Sequence, residues 1–218
     1  MSVLFHGRTD YVKGSLSEES VHASPLMQLE AWLEEAREKG VPEPNAMTLA
    51  TADEGGKPSA RIVLLRGIDA RGLRFFTNYG SRKAKELAKR SEGPSFASLL
   101  FFWPEVERQV RVEGTVTKLP KDESAAYFAS RPRESQLGAW ASRQSAVVAS
   151  REELDRALAE MEARFSGKEV PLPEFWGGYV LAPERFEFWQ GGKSRLHDRI
   201  AYEKEGGGTE FGRLRLFP

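Results

Sequence analysis

From Asn45 onward the chain reads as a series of short strands closed by tight turns, and this spacing limits the fold more than any other feature. Ala46–Ala52 is one strand, Glu54-Gly55-Gly56 a turn and residues 60–66 the next strand, after which Arg71-Gly72 leads into 73–77. Two further strands follow at Phe96–Trp103 and 108–119. In the second, Val110, Val112 and Val116 face one way while Gln109, Arg111 and Glu113 face the other. Strands this short, joined this tightly, form an antiparallel sheet or barrel rather than a βαβ array.

Helical signals punctuate the strands. Ser24 caps a helix with Pro25 in its first turn, Leu26, Leu29, Trp32, Leu33 and Ala36 as its stripe, and Gly40 at its end. Ser81 opens a second over S-R-K-A-K-E-L-A-K-R, before Gly93-Pro94. A third starts at Pro120 and stops at Arg131-Pro132, with a short helical segment over 135–140 after it. Ser150-x-x-Glu153 is a capping box for a helix whose stripe is Leu154, Leu158, Met161 and Phe165. The last sheet is predicted over 178–182, 185–190, 200–203 and 213–217, with Gly206-Gly207-Gly208 as a hairpin tip. Residues 1–23 read as a mobile arm and 24–218 as one domain, since no repeat or composition break divides them. The class is mainly β with peripheral helices (α+β).

Composition removes several functions. Lys plus Arg is 32 and Asp plus Glu is 32, so the zero net charge argues against a nucleic-acid partner. Cysteine is absent, and the three histidines, at 6, 22 and 197, are far apart, which disfavours disulfide frameworks and metal centres. No apolar run approaches the roughly 20 residues of a membrane span. The first residues lack a signal-peptide layout, and a cytoplasmic protein is expected.

Four constellations carry chemistry. In F-E-F-W-Q-G-G-K-S-R-L-H-D-R (186–199), Arg195, His197 and Arg199 recur at every second position, so an extended backbone puts them on one face. Such a face needs something anionic or electron-rich opposite it. Trp189 and the pair Gly191-Gly192, which admits close backbone approach, point to one wall of a pocket for a phosphorylated or aromatic small molecule. Arg61 and Arg66 bracket an apolar strand and read equally well as exposed end charges. Arg82 and Lys83 follow Ser81 at a helix start, where cations oppose the macrodipole unless an anion binds. Tyr127, Arg131 and Ser135, four apart across a helix break, offer a planar fork and two hydroxyls to a phosphate. Gln144-Ser145 adds neutral donors. No nucleophile stands with a base, so a bound cofactor is expected to carry the reaction.

Six separated blocks resemble the pyridoxine/pyridoxamine 5′-phosphate oxidase family: R-I-V-L-L-R (61–66), F-F-T-N-Y-G-S-R-K (75–83), E-R-Q-V-R-V-E-G (107–114), Y-F-A-S-R-P-R-E-S-Q-L-G-A-W (127–140), W-G-G-Y (176–179) and F-W-Q-G-G-K-S-R-L-H-D-R (188–199). The resemblance implies a homodimer of antiparallel, Greek-key split β-barrels with FMN at the subunit interface. It implies that Arg61, Ile62, Val63, Leu64, Phe76, Thr77, Arg82, Lys83, Gln109, Gln144, Ser145, Trp189 and Arg199 bind FMN, some from the partner chain. Arg66, Tyr127, Arg131 and Ser135 would grip the substrate phosphate, Arg8 and Tyr11 would form a lid, and Arg195 and His197 would sit over the pyridine ring as the catalytic pair. The implied reaction passes a hydride from substrate C4′ to flavin N5, and O2 then reoxidises the flavin with release of H2O2. Two positions depart from the family pattern: Arg66 replaces the usual lysine, and Phe211 stands where tryptophan is common. The alternatives are a split-barrel flavoprotein with another reduced substrate, and a non-catalytic carrier of FMN or pyridoxal phosphate. A carrier has no use for charged groups over the ring.

Overall fold

The computed structural model describes residues 10–88, 93–206 and 208–218. Among these, nine strands and five α-helices follow in the order α1 (Pro25–Glu38), β1 (Ala46–Ala52), β2 (Pro58–Leu64), β3 (Gly67–Asp69), β4 (Gly72–Asn78), α2 (Arg82–Glu86), β5 (Phe96–Trp103), β6 (Arg108–Lys118), α3 (Lys121–Ser130), α4 (Arg133–Ala141), α5 (Arg151–Arg164), β7 (Trp176–Gln190), β8 (Asp198–Lys204) and β9 (Phe211–Arg215). The strands hydrogen-bond in the order β2-β1-β5-β6-β7-β4-β3, with β8 and then β9 added to β7. This is the antiparallel, mainly β class expected from the strand spacing. No helix among the described residues is long and apolar enough to cross a membrane.

By contact density the chain forms two interleaved compact units. Unit 1 takes the chain through Thr48, Ser98–Glu113 and Pro183–Pro218; unit 2 takes Leu49–Ala97 and Gly114–Ala182. Strands β1, β5, β6 and β7 each contribute residues to both, so no linker or shift in composition marks the division.

In unit 1, Ser24 caps α1 by accepting from the Met27 amide, and Leu29, Trp32 and Ala36 are buried along its stripe. Trp32 meets Phe188 edge to face at 5.2 Å, and Phe186 and Phe188 are fully buried on one face of β7. Each such ring contributes roughly 1.5–3 kcal/mol by burial. The arm expected to be mobile is tied down over its described part. The amides of Val12 and Lys13 donate to the Glu107 carboxylate, Leu16 and Val21 are buried, and Tyr202 donates its hydroxyl hydrogen to the His22 carbonyl.

In unit 2, β4 pairs antiparallel with the first half of β7, Thr77 opposite Gly177 and Asn78 opposite Trp176. Phe128, Leu137, Phe165, Val170 and Trp176 form a buried cluster that α5 covers with Leu158 and Met161, while Leu154 of the expected stripe stays exposed. Ser150 accepts from the Glu153 amide, as a capping box requires. The return bond goes to the Ala149 amide instead of the cap residue.

Three expectations are corrected. Residues 178–182 and 185–190 are one strand, β7; Pro183 falls between its register with β4 and its register with β8, where its missing N–H breaks neither. The helix expected from Ser81 is short: α2 ends at Glu86, the buried Leu87 is its C-cap, and residues 89–92 lie outside the described residues. The segment 193–197 is not extended. Lys193–Arg195 forms a 3-10 turn, with Ser194 and Arg195 in the left-handed region at φ +55° and +63°.

Candidate active site

In unit 2 the chain gathers cations around a cavity of about 280 Å³ lined by Ile62, Val63, Leu64, Arg66, Phe76, Thr77, Lys83, Tyr127, Arg131, Gln144 and Trp176. One wall is β2, which stands at the end of the sheet order among the described strands. The floor is a stack of rings: Phe76 lies 3.9 Å from Tyr127 and 5.6 Å from Trp176, all three nearly parallel.

Arg131 reaches this cavity because of the helix break that carries it. Pro132 holds Arg131 extended at ψ 148°, and the Gln136 side-chain amide donates to the carbonyls of Phe128, Ala129 and Arg131, closing the end of α3. The guanidinium lies over Trp176, and its Nη1 is buried without a hydrogen-bond partner among the described residues. Burial pushes its pKa below the ordinary arginine value, and the neighbouring Arg66 charge pushes it the same way. Arg66 is exposed, 5.9 Å from the Tyr127 ring centre. Ser135, in the first turn of α4, does not line the cavity.

Lys83 and Gln144, of the loop after α4, also line the cavity. Asn78 donates to the Ser142 carbonyl, and the Arg82 amide donates to the Ser145 hydroxyl, with Ser145 at φ +72°. Lys83 Nζ then donates to Gln144 Oε1 at 2.9 Å and Thr77 Oγ1 at 3.3 Å. Both acceptors are neutral. Burial first, and the Arg61 charge second, lower the Lys83 pKa. Arg61 is no exposed end charge: its guanidinium donates to the Leu49 carbonyl, to the Thr51 and Ser59 hydroxyls and to Glu86.

In unit 1 the 186–199 segment is ordered by its glycines. A Cβ on Gly191 would meet Tyr11 at 2.7 Å, and one on Gly192 would meet the Leu196 carbonyl oxygen at 2.3 Å. Trp189 stands 4.7 Å from His197, and Tyr11 meets both rings edge to face. The Gly192 amide donates to His197 Nδ1 at 3.1 Å, so the neutral imidazole carries its proton on Nε2. The alternation expected for Arg195, His197 and Arg199 is not kept. Arg195 is exposed on the strained turn, and Arg199 is turned onto the buried carboxylate of Glu187 and the Phe217 carbonyl. Gln109 is half-buried on β6, and Arg8 lies outside the described residues.

Sequence reasoning missed Trp176, the ring beneath Arg131, although its W-G-G-Y block stood out. It also missed Glu86 and Glu187, buried carboxylates that hold two arginines or more. Burial of a single glutamate leaves no periodic trace.

Comparison with known proteins decides the family. Residues 33–165 match the family model described as pyridoxamine 5′-phosphate oxidase, and residues 176–218 match the pyridoxine 5′-phosphate oxidase C-terminal dimerisation region. The chain belongs to this family of oxidoreductases. It is 56% identical over 211 residues to a pyridoxine/pyridoxamine 5′-phosphate oxidase of Rubrobacter xylanophilus, covering 97% of this chain and 94% of that one. To the Burkholderia thailandensis protein of the same description it is 51% identical over 219 residues, all of both chains. Among solved structures it resembles PhzG from Burkholderia lata 383, bound to tetrahydrophenazine-1-carboxylic acid, at a TM-score of 0.84 and 33% identity over 92% of this chain and 95% of that one. A pyridoxamine 5′-phosphate oxidase-related, FMN binding protein from Nostoc punctiforme shares the fold at a TM-score of 0.69, covers 89% of this chain and 98% of that one, and is 16% identical.

Proposed function

We propose that the chain is an FMN-dependent oxidase that converts pyridoxine or pyridoxamine 5′-phosphate to pyridoxal 5′-phosphate, with O2 as acceptor and H2O2 released. The observation that carries this reading is two cations lining one cavity that make no ion pair among the described residues: Lys83, hydrogen-bonded to neutral acceptors, and Arg131, with an orphaned buried Nη1. Two phosphates, one on a flavin and one on a vitamin ester, answer both deficits.

The residues fit FMN. Arg82 and Lys83 would take its phosphate with Gln144 and Ser145 beside them, and β2 at 62–64, which lines the cavity, would face a flat polar ring. Arg61, Phe76, Thr77, Gln109, Trp189 and Arg199 complete the set by resemblance, some of them supplied by the partner subunit of a homodimer. The match of 176–218 to a dimerisation region supports that assembly. When bound, the flavin accepts the two electrons of the oxidation and passes them to O2.

The chain's own share is grip and orientation. Arg131, Arg66 and the Tyr127 hydroxyl hold the substrate phosphate, with Ser135 assigned to them by resemblance. His197, whose Nε2 carries the proton, donates to the oxygen substituent of the pyridine ring, and Arg195 adds positive charge there. Tyr11, packed on His197 and Trp189, closes over them, with Arg8 further along the arm. Cytoplasmic action accords with the absence of cysteine.

The test is direct. Purified protein should be yellow, and aerobic addition of pyridoxine 5′-phosphate should yield aldehyde and peroxide in equal amounts. Colourless protein that stays so in excess FMN, or yellow protein that leaves the ester untouched, overturns the reading.

A further inference from the structure

Glu86 closes the helix that Arg82 and Lys83 open, and both Arg61 and Arg82 turn onto it. It is the last residue of α2, and its side chain is 5% exposed. Oε2 accepts from the Thr51 hydroxyl at 2.5 Å, the Ser59 hydroxyl at 2.6 Å and Arg61 Nη2 at 3.1 Å, while Oε1 accepts from Arg82 Nε at 2.7 Å. The two arginines are held differently. Arg61 spends both Nη groups inward, on Leu49, Thr51, Ser59 and Glu86. Arg82 is held by Nε alone, so both its Nη groups remain unengaged among the described residues. One carboxylate among the three cations Arg61, Arg82 and Lys83 also leaves the cluster with surplus positive charge.

We propose that Glu86 is a positioning residue for the flavin phosphate: it locks Arg61 and holds Arg82 by one nitrogen, so that the open fork of Arg82 and the Lys83 ammonium meet the phosphate already aligned. This rests on the FMN reading above. The proposal has a sign that distinguishes it from plain electrostatics. A carboxylate near a phosphate repels it, so a purely electrostatic Glu86 would weaken FMN binding, and removing its charge would tighten it. A positioning Glu86 strengthens binding, because without it two long side chains regain rotamer freedom that the ligand must then remove.

The apoprotein is titrated with FMN and, separately, with riboflavin, following the quenching of flavin fluorescence, for wild type, Glu86→Gln and Glu86→Asp. Glutamine keeps the reach without the charge; aspartate keeps the charge without the reach. Both variants are expected to raise the FMN Kd at least tenfold while the riboflavin Kd changes less than twofold. In an Arg82→Ala background, Glu86→Gln should cost less than it does in wild type, since only Arg61 is left for it to hold. Unchanged or tighter FMN binding overturns the proposal. So does an equal loss of both flavins, which would mark general damage. Wild-type protein that binds neither flavin instead refutes the FMN reading itself.

Discussion

The Arg131 guanidinium carbon lies 4.7 Å from the centre of the Trp176 ring. The contact holds a cation over an aromatic face in a partly buried place, while Nη1 of the same group finds no acceptor among the described residues. A protein tolerates an unpaired buried donor at a cost of about 1–3 kcal/mol, and such a cost is best explained by a ligand that relieves it.

Replacing Arg131 with methionine should therefore act on substrate and stability in opposite directions. Loss of a charge-assisted grip worth roughly 1.5–3 kcal/mol should raise KM for the phosphate ester by roughly tenfold to 150-fold, with flavin retained. The free protein should be as stable as wild type or more so, because an unpaired buried cation has gone. Steady-state kinetics and thermal melting of the same sample check both halves; unchanged KM would remove Arg131 from the phosphate site.

Glu187 is 3% exposed and meets Arg199 at 2.9 Å, Arg111 at 2.7 Å and Arg185 at 3.6 Å. Glu187→Ala takes from Arg199 its one carboxylate among the described residues, while Arg111 keeps Glu113 and Arg185 keeps Glu203. The expected cost is about 3–5 kcal/mol, read as a lower denaturation midpoint in urea. A loss below about 1 kcal/mol would show that solvent already screens the cluster.

Affinity for FMN should depend on pH through Lys83. Its folded pKa is depressed by burial and by Arg61, so it loses its proton at a lower pH than a free lysine does. A phosphate favours the protonated form, so affinity is full below the depressed pKa and falls as pH rises through it, with proton uptake on binding. Titrations between about pH 7 and pH 10 should show this decline, and Lys83→Met should abolish it.

Glu86 sets the acid limit of the same region. Burial alone would raise its pKa; hydrogen bonds from Ser59, Thr51, Arg82 and Arg61 outweigh that and hold it at about 2. A depressed carboxylate contributes stability above its unfolded pKa of about 4.3, and that contribution is lost as pH falls toward about 2. Stability measured across this interval should decline as pH falls in wild type, and less steeply in Glu86→Gln, where Glu18, Asp69 and Glu123 still titrate.

A methyl group on Gly191 would overlap Tyr11, so Gly191→Ala should push the arm off Trp189 and His197. An overlap costing roughly 1–3 kcal/mol would raise the open population roughly fivefold to 150-fold. Trypsin should then cut after Lys13 correspondingly faster; an unchanged rate would show that the backbone yields instead.

The sequence by itself determined the local structure. Period-2 runs with tight turns fixed the antiparallel sheet, Ser24 and Ser150 fixed two helix starts, and the alternation of Val110, Val112 and Val116 with Gln109, Arg111 and Glu113 fixed which face of β6 is buried. Cations at 66, 82, 83 and 131 stood out because their spacing is local. Tertiary structure decided whatever depends on partners distant in the chain. It turned Arg61 inward to Glu86 and Arg199 onto Glu187, bent 193–195 into a left-handed turn, carried β7 through Pro183 and set Trp176 beneath Arg131. The physical reason is range: capping and alternation act over a few residues, whereas a buried charge takes its orientation from whichever opposite charge or ring the fold brings to it.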